Sequence, residues 1–273
     1  MKHKSFTVPH DFTSVANVAL DHAIETAKKA NTTIHILHVV EDEGEVDSAT
    51  DKIDDIIASK SVDGVTLTNN VRIGNIFKSI SEFAVEHQSE LIFMGTHGAH
   101  GWQHITGSYA LRVVTSSQVP FVIVQDKAVK EGGYKSIVVP LDLHIQSRQK
   151  LSTVAKLADY FGSKVHIALP DETDPDLQAQ LEAHKSVCEV FFKERHIEMD
   201  TKILPHADFA REVVKYASLI NADLISIMNL NRSNIFSVFN AKYEQYIITN
   251  DALIPTLILN PVEVQEIYGH WFT

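Results

Sequence analysis

A single cysteine, Cys188, stands among 273 residues, so no disulfide can form within the chain. That usage fits a reducing compartment, and a cytoplasmic location is the expectation. No run of Lys and Arg occurs and the formal net charge is −11. Nucleic acid and anionic membranes, which need clustered cations, are therefore not expected partners. No stretch reaches the roughly 20 apolar residues of a membrane span, and the opening MKHKSFTVPHDF lacks the apolar core of a secretory signal. Glycine is scarce, 11 in all, and none falls between Gly162 and Gly269. Yet Gly95, Gly98, Gly101 and Gly107 crowd into one segment, MGTHGAHGWQHITGSYA, directly after the apolar run Leu91-Ile92-Phe93. Backbone that bare disfavours packing. It suits a phosphate cradle, a metal loop or only a turn.

What is present repeats once. Val8-Pro9-His10-Asp11 matches Val139-Pro140-Leu141-Asp142, and Thr33-Ile34-His35-Ile36 matches Lys164-Val165-His166-Ile167. Glu90-Leu91-Ile92 answers Asp223-Leu224-Ile225, and Val119 to Val124 answers Ile254 to Leu259. The offset drifts from 131 to 135, as loop insertions would cause. A period this long predicts two copies of one domain rather than a solenoid. The expected division is 1–130, 131–262 and a tail at 263–273, with the boundary at the charged, glycine-rich Glu131-Gly132-Gly133. Within the first copy, strand-length apolar runs (Phe6–Val8, Thr33–Val40, Val65–Asn69, Glu90–Met94, Phe121–Val124) alternate with helical spacing, as in Val15, Val18, Ala19 and Ala23 after Thr13 or Ser14. The second copy follows suit with Ser136–Val139, Lys164–Leu169, Glu198–Leu204, Ala222–Met228 and Thr256–Leu259, and a long helix over Asp176–Arg195. Continuous rather than alternating runs predict strands covered on both faces. The fold class expected is α/β, with parallel sheets between helices. The acidic stretch from Glu41 to Ser48 reads as an exposed loop.

V-P-x-D after the first strand, His38-Val39 closing the second, and M-G-T-H-G followed by Gly107-Ser108 after the fourth resemble the universal stress protein family, in its tandem two-domain type. The resemblance runs from about Phe6 to Pro261. It implies two five-stranded domains of the adenine nucleotide alpha hydrolase type, strand order 3-2-1-4-5, with last strands paired in an intramolecular pseudo-dimer. Such a sheet reverses its order between strands 1 and 4, and ligands settle outside their carboxyl ends. In ATP-binding members, residues at the places of Asp11 and Val39 face the nucleoside, and the glycine loop with its following Ser or Thr holds the phosphates. Carried onto this chain, the binding residues are Asp11, Val39, Gly95, Gly98, Gly107 and Ser108, with ATP as the cofactor of the first domain. Backbone N–H groups and a helix N-terminus near Ser108 would supply donors to an anion.

Two departures matter. The family spacing G-x2-G-x9-G-[ST] is here one residue short, since eight residues separate Gly98 from Gly107. That displaces later groups by up to about 3.5 Å. Met94 to Leu111 also contains no Lys or Arg, and Trp102 adds bulk. In the second copy the matching segment, MNLNRSNIFSVFNAKYEQ, lacks glycine, so Asn229, Asn231 and Ser233 are expected to crowd out phosphate, and Asp142 to serve as a turn or cap residue.

His97, His100 and His104 invite a metal reading, but their spacing matches no established metal motif and no cysteine is near. Ser108 lacks a nucleophile-elbow glycine pattern and no G-x4-G-K-[ST] loop occurs. Cys188, Phe191-Phe192, Phe236 and Phe239 read as packing residues. The expectation is a non-catalytic stress-response protein whose first domain binds ATP or a related nucleotide to regulate a protein partner. An interaction module without nucleotide is the alternative, and a slow ATPase the third reading. Further assembly into a homodimer is left open by a repeat that already pairs internally.

Overall fold

The computed structural model describes residues 4–60, 62–96, 113–115, 117–143, 145–230 and 241–261. Ten strands form one sheet in the order β3-β2-β1-β4-β5-β10-β9-β6-β7-β8. The first half supplies β1 (Ser5–Pro9), β2 (Thr33–Val40), β3 (Thr66–Ile73), β4 (Ser89–Gly95) and β5 (Phe121–Val124). The second supplies β6 (Ser136–Pro140), β7 (Lys164–Pro170), β8 (Met199–Leu204), β9 (Leu224–Met228) and β10 (Thr256–Leu259). Pairing inside each half is parallel, with β1 between β2 and β4 and β6 between β7 and β9. The halves meet where β5 and β10 run antiparallel, Thr256 opposite Ile123 and Ile258 opposite Phe121. Each last strand thus covers the other's edge, which removes two unpaired ladders from solvent.

Helices follow from caps and apolar stripes. α1 (Ser14–Ala30) starts at Thr13, whose hydroxyl accepts from the Ala16 N–H at 3.3 Å, and ends at Asn31 with φ 50°. Its buried stripe of Ala19, Leu20, Ala23 and Ala27 packs on Phe6, Val8, Ile34 and Ile36. α3 (Ile76–Glu86) opens at Asn75, whose side chain accepts from Phe77 N–H, and covers the opposite face with Ile80, Phe83 and Ala84. In the second half α4 (Leu151–Phe161) and α5 (Pro175–Lys193) lie on the α1 face, and α6 (Phe209–Leu219) with α7 (Ala241–Ile248) on the α3 face. Cys188 and Phe192 of α5 are fully buried, as packing residues should be; Phe236 and Phe239 lie outside the described residues.

The acidic stretch from Glu41 to Ser48 is not a loop. Asp42 accepts from Gly44 N–H at 2.9 Å, a short 3-10 turn covers Glu43–Glu45, and α2 runs Val46–Ser59. Carboxylates at a helix start suit the positive end of its dipole. Only Ala49 and Ile53 of α2 are buried, too thin a stripe for a periodicity reading. β3 likewise runs four residues past the expected Asn69, because an edge strand is half exposed and loses its continuous apolar character.

One buried network ties the connector to the first half. His22 on α1 donates from Nε2 to the Lys127 carbonyl at 2.9 Å, which leaves Nδ1 to accept from the Tyr134 hydroxyl at 2.8 Å. Burial lowers the pKa of His22, consistent with a neutral ring serving both bonds.

Candidate functional site

The strand order reverses between β1 and β4, and a cavity of about 110 Å³ opens beyond their carboxyl ends. Its floor is Pro9, Leu37, Met94 and Gly95, its wall the first turns of α3 (Ile76, Phe77, Ile80), with Val113 beside them. His10, Asp11, His38 and Val39 complete the lining. It is smaller than the roughly 150 Å³ enclosed cavity that accepts benzene, but it is open to solvent at its mouth. Of the expected binding residues, Asp11, Val39 and Gly95 therefore come together here, Asp11 just past β1 and the others at the ends of β2 and β4. Gly98, Gly107 and Ser108 lie outside the described residues, as do His97, His100, His104 and Trp102. Among the described residues no cluster of His, Cys, Asp and Glu could hold a metal ion.

The rim is held rigidly. Asp11 Oδ1 accepts from the Thr13 hydroxyl at 2.6 Å and from Thr13 N–H at 3.2 Å. His38 Nδ1 donates to the His10 carbonyl at 2.6 Å, and Phe12 N–H donates to His10 Nδ1 at 3.1 Å. Phe12 sits at φ 67°, a costly region for a bulky side chain, with its ring 4.3 Å from that of His38 and the Lys52 ammonium 5.2 Å away. His10 is 2% exposed and burial lowers its pKa; Asn17 lies near enough to favour the charged form without giving Nε2 a hydrogen-bond partner. Sequence reasoning missed His10, His38 and the α3 wall, for which only the V-P-H-D and H-V motifs gave any signal.

Gly95 has a second reason to be glycine. A Cβ there would lie 2.6 Å from the Val15 carbonyl oxygen and 2.8 Å from Val15 Cγ1, so its bareness lets α1 approach β4. Its close contact is a helix, whatever the cavity holds.

The second half's matching hollow is filled. Only about 10 Å³ remains between Pro140, Asp142, Ser147, Lys150, Met228, Tyr243 and Glu244, room for one water at most. Strand register shows how. Gly95 pairs with Val124 on β5, whereas the residue that pairs with Leu259 on β10 is Met228. Met228, not Asn229, thus stands in the glycine's place and its side chain is buried. Where α1 begins three residues after Asp11, the chain after Asp142 runs as a 3-10 turn over Ile145–Lys150 before α4 begins. A thioether between strand and helix leaves no room for the close packing that Gly95 allows. Lys150 then turns inward, fully buried, its ammonium donating to the Pro140 carbonyl at 2.7 Å. Burial pushes its pKa down to about 8, against the opposing attraction of Asp142. Asp142 itself accepts from the Ser147 hydroxyl, the turn role expected of it, and buried Glu244 accepts from Leu230 N–H at 3.2 Å. Asn229 does not point at this hollow's floor; its amide reaches Thr115 and Asn260. Asn231 and Ser233 lie outside the described residues.

Residues 2–125 match the family model described as "Universal stress protein family". A 130-residue stretch is 31% identical to the imidazole glycerol phosphate synthase subunit HisF of Shewanella denitrificans, covering 47% of this chain and 42% of that one, so the chain spans less than half of that subunit. A universal stress protein of Methanocaldococcus jannaschii is 29% identical over 140 residues, covering 45% of this chain and 82% of the relative. Across nearly the whole chain, the crystal structure of a universal stress protein from Archaeoglobus fulgidus superposes with a TM-score of 0.72 at 16% identity, covering 95% of this chain and 99% of that one. A functionally unknown protein from Pseudomonas aeruginosa superposes at 0.64 and 14% identity, covering 98% and 95%. These two structures share the fold of both halves.

Proposed function

We propose, because residues 2–125 match the universal stress protein family model, that the first half binds ATP or a related adenine nucleotide and that the protein acts as a non-catalytic, cytoplasmic stress-response regulator. The observation that carries this reading is the open cavity at the β1/β4 switch point, set against the filled hollow in the second half. The base would sit against Ile76, Ile80 and Met94, the ribose near Asp11 and the Val39 backbone, and the phosphates along Gly95, Gly98, Gly107 and Ser108. The second half would serve as the surface that a protein partner reads. No helix among the described residues is long and apolar enough to cross a membrane. Among the described residues the lining carries no Lys or Arg. That feature favours a second reading, an interaction module in which neither half takes nucleotide.

Calorimetric titration with ATP, ADP and AMP separates the two. Saturable heat at one site per chain, abolished by Val39→Trp, is the expected result, since an indole at that wall would fill the cavity. Absence of heat with all three nucleotides rejects the nucleotide reading and leaves the interaction module. Slow phosphate release over hours with the wild type would overturn the non-catalytic assignment.

A further inference from the structure

Where the halves touch, the wall of the first cavity is gripped by two asparagines of the second half. Val113 lines the cavity and Val114 packs behind it in a helical turn over residues 113–115. Asn260, just past β10, donates from Nδ2 to the Val114 carbonyl at 2.5 Å and to the Ser117 carbonyl at 2.7 Å. Carbonyls only accept, so the amide must present its nitrogen to them and its oxygen outward. That oxygen accepts from Asn229 Nδ2 at 2.8 Å, and the same nitrogen lies 3.2 Å from Thr115 Oγ1. Asn229 directly follows β9, and its own Oδ1 is buried with no hydrogen-bond partner. A buried acceptor left unmatched is unfavourable. Asn229 carries that cost while its nitrogen orients the amide that grips the first half.

From this geometry we infer that Asn260, oriented by Asn229, is a positioning residue that sets the ligand affinity of the first-half cavity from within the second half. The inference rests on the nucleotide reading for its ligand, and it extends that reading by assigning the second half a role in the site. Holding the Val114 and Ser117 carbonyls keeps Val113 in place on the lining it shares with Ile76 and Ile80. Releasing it lets that wall drift, and a ligand must then reorder it on binding. By linkage, ligand that favours the gripped arrangement also tightens the contact between halves.

The test uses the full-length chain and ATP as the probe. Asn260→Asp keeps the shape but sets a carboxylate against two carbonyls. It should raise the ATP dissociation constant about fivefold or more. Asn229→Ala should do so more weakly, and the double variant should fall short of the product of the two effects. Gln125→Ala removes another bond across the same junction, from Gln125 Nε2 to the Asn250 carbonyl at 3.1 Å. It should lower stability while leaving ATP affinity within twofold, which a merely structural role for Asn260 would not distinguish. An Asn260→Asp variant that binds ATP as the wild type does overturns the inference. Should the wild type itself bind no ATP, the nucleotide reading fails, and amide exchange decides the clamp. Faster exchange at Thr115 and Ser117 in Asn260→Asp, unmatched in Gln125→Ala, upholds it; unchanged exchange overturns it.

Discussion

Two halves with the same strand order arrive at opposite interiors at the same place in the sheet. In the first, glycine at the end of β4 lets α1 begin at once and seat itself by Val15, and a cavity of about 110 Å³ stays open on the α3 side. In the second, Met228 at the equivalent position coincides with a 3-10 turn, a buried Lys150 and only about 10 Å³ of space. Neighbouring residues followed suit: an ammonium brought inside needs acceptors, and the Pro140 carbonyl and the charge of Asp142 supply them. A duplicated domain can thus fill the hollow at its switch point while its sheet and its pairing edge persist.

The comparison is broken most severely by placing the second half's residue in the first. Gly95→Met would drive a side chain into the backbone of Val15. We expect a loss of about 3 kcal/mol in urea unfolding, the upper end of overpacking effects. A loss below about 0.5 kcal/mol would mean that α1 retreats freely and that the glycine does not hold the first half open.

The two halves also differ in the pH at which they titrate. Lys150, lowered to about 8 in the folded chain, keeps its proton to about 10.4 when unfolded. Between those values the unfolded state holds more protons, so stability rises with pH by roughly 1 kcal/mol per unit. Stability of the wild type relative to Lys150→Met should therefore climb from pH 8 to 10. In the first half, His35 is held to about 4 by burial and by His87. Its contribution is complete above pH 6.5 and lost as the pH falls toward 4. Parallel unfolding curves for wild type and Lys150→Met across the alkaline range would show that the lysine is not buried as an amine.

A smaller effect sharpens the contrast at the helix starts. Thr13 caps α1, whereas Lys150 stands at the start of α4 with no side-chain cap. Thr13→Ala should cost about 1 kcal/mol, read as a lower urea midpoint at unchanged slope. It also frees Asp11 Oδ1 from its 2.6 Å partner. No change in the midpoint would mean that solvent replaces the cap.

Much of this was legible in the residues. The alternation of apolar runs with helical spacing located all ten strands, most plainly the inner ones, because a strand covered on both faces must be apolar throughout, and Thr13, Asn75 and the 176–195 stripe announced three helices. Asp11, Val39 and Gly95 were gathered from motifs at the ends of three strands, and the structure lines one cavity with them. The filling of the second hollow followed from its missing glycines, but through Met228 rather than Asn229, since an apolar string shows no pairing register. Only three-dimensional packing could show that Lys150 points inward, that α2 forms on two buried side chains, or that Asn260 holds a carbonyl 146 residues away.

By itself, the order of residues decided the period, the strand positions and which half kept its glycines, because those depend on local chain stiffness and on which short runs avoid water. Which side chain stands opposite which, how much space is left between them, and where an amide must turn its nitrogen were decided only when distant strands met. These are properties of neighbours in space, and a hydrogen bond or a void forms between whatever the fold brings within a few ångströms.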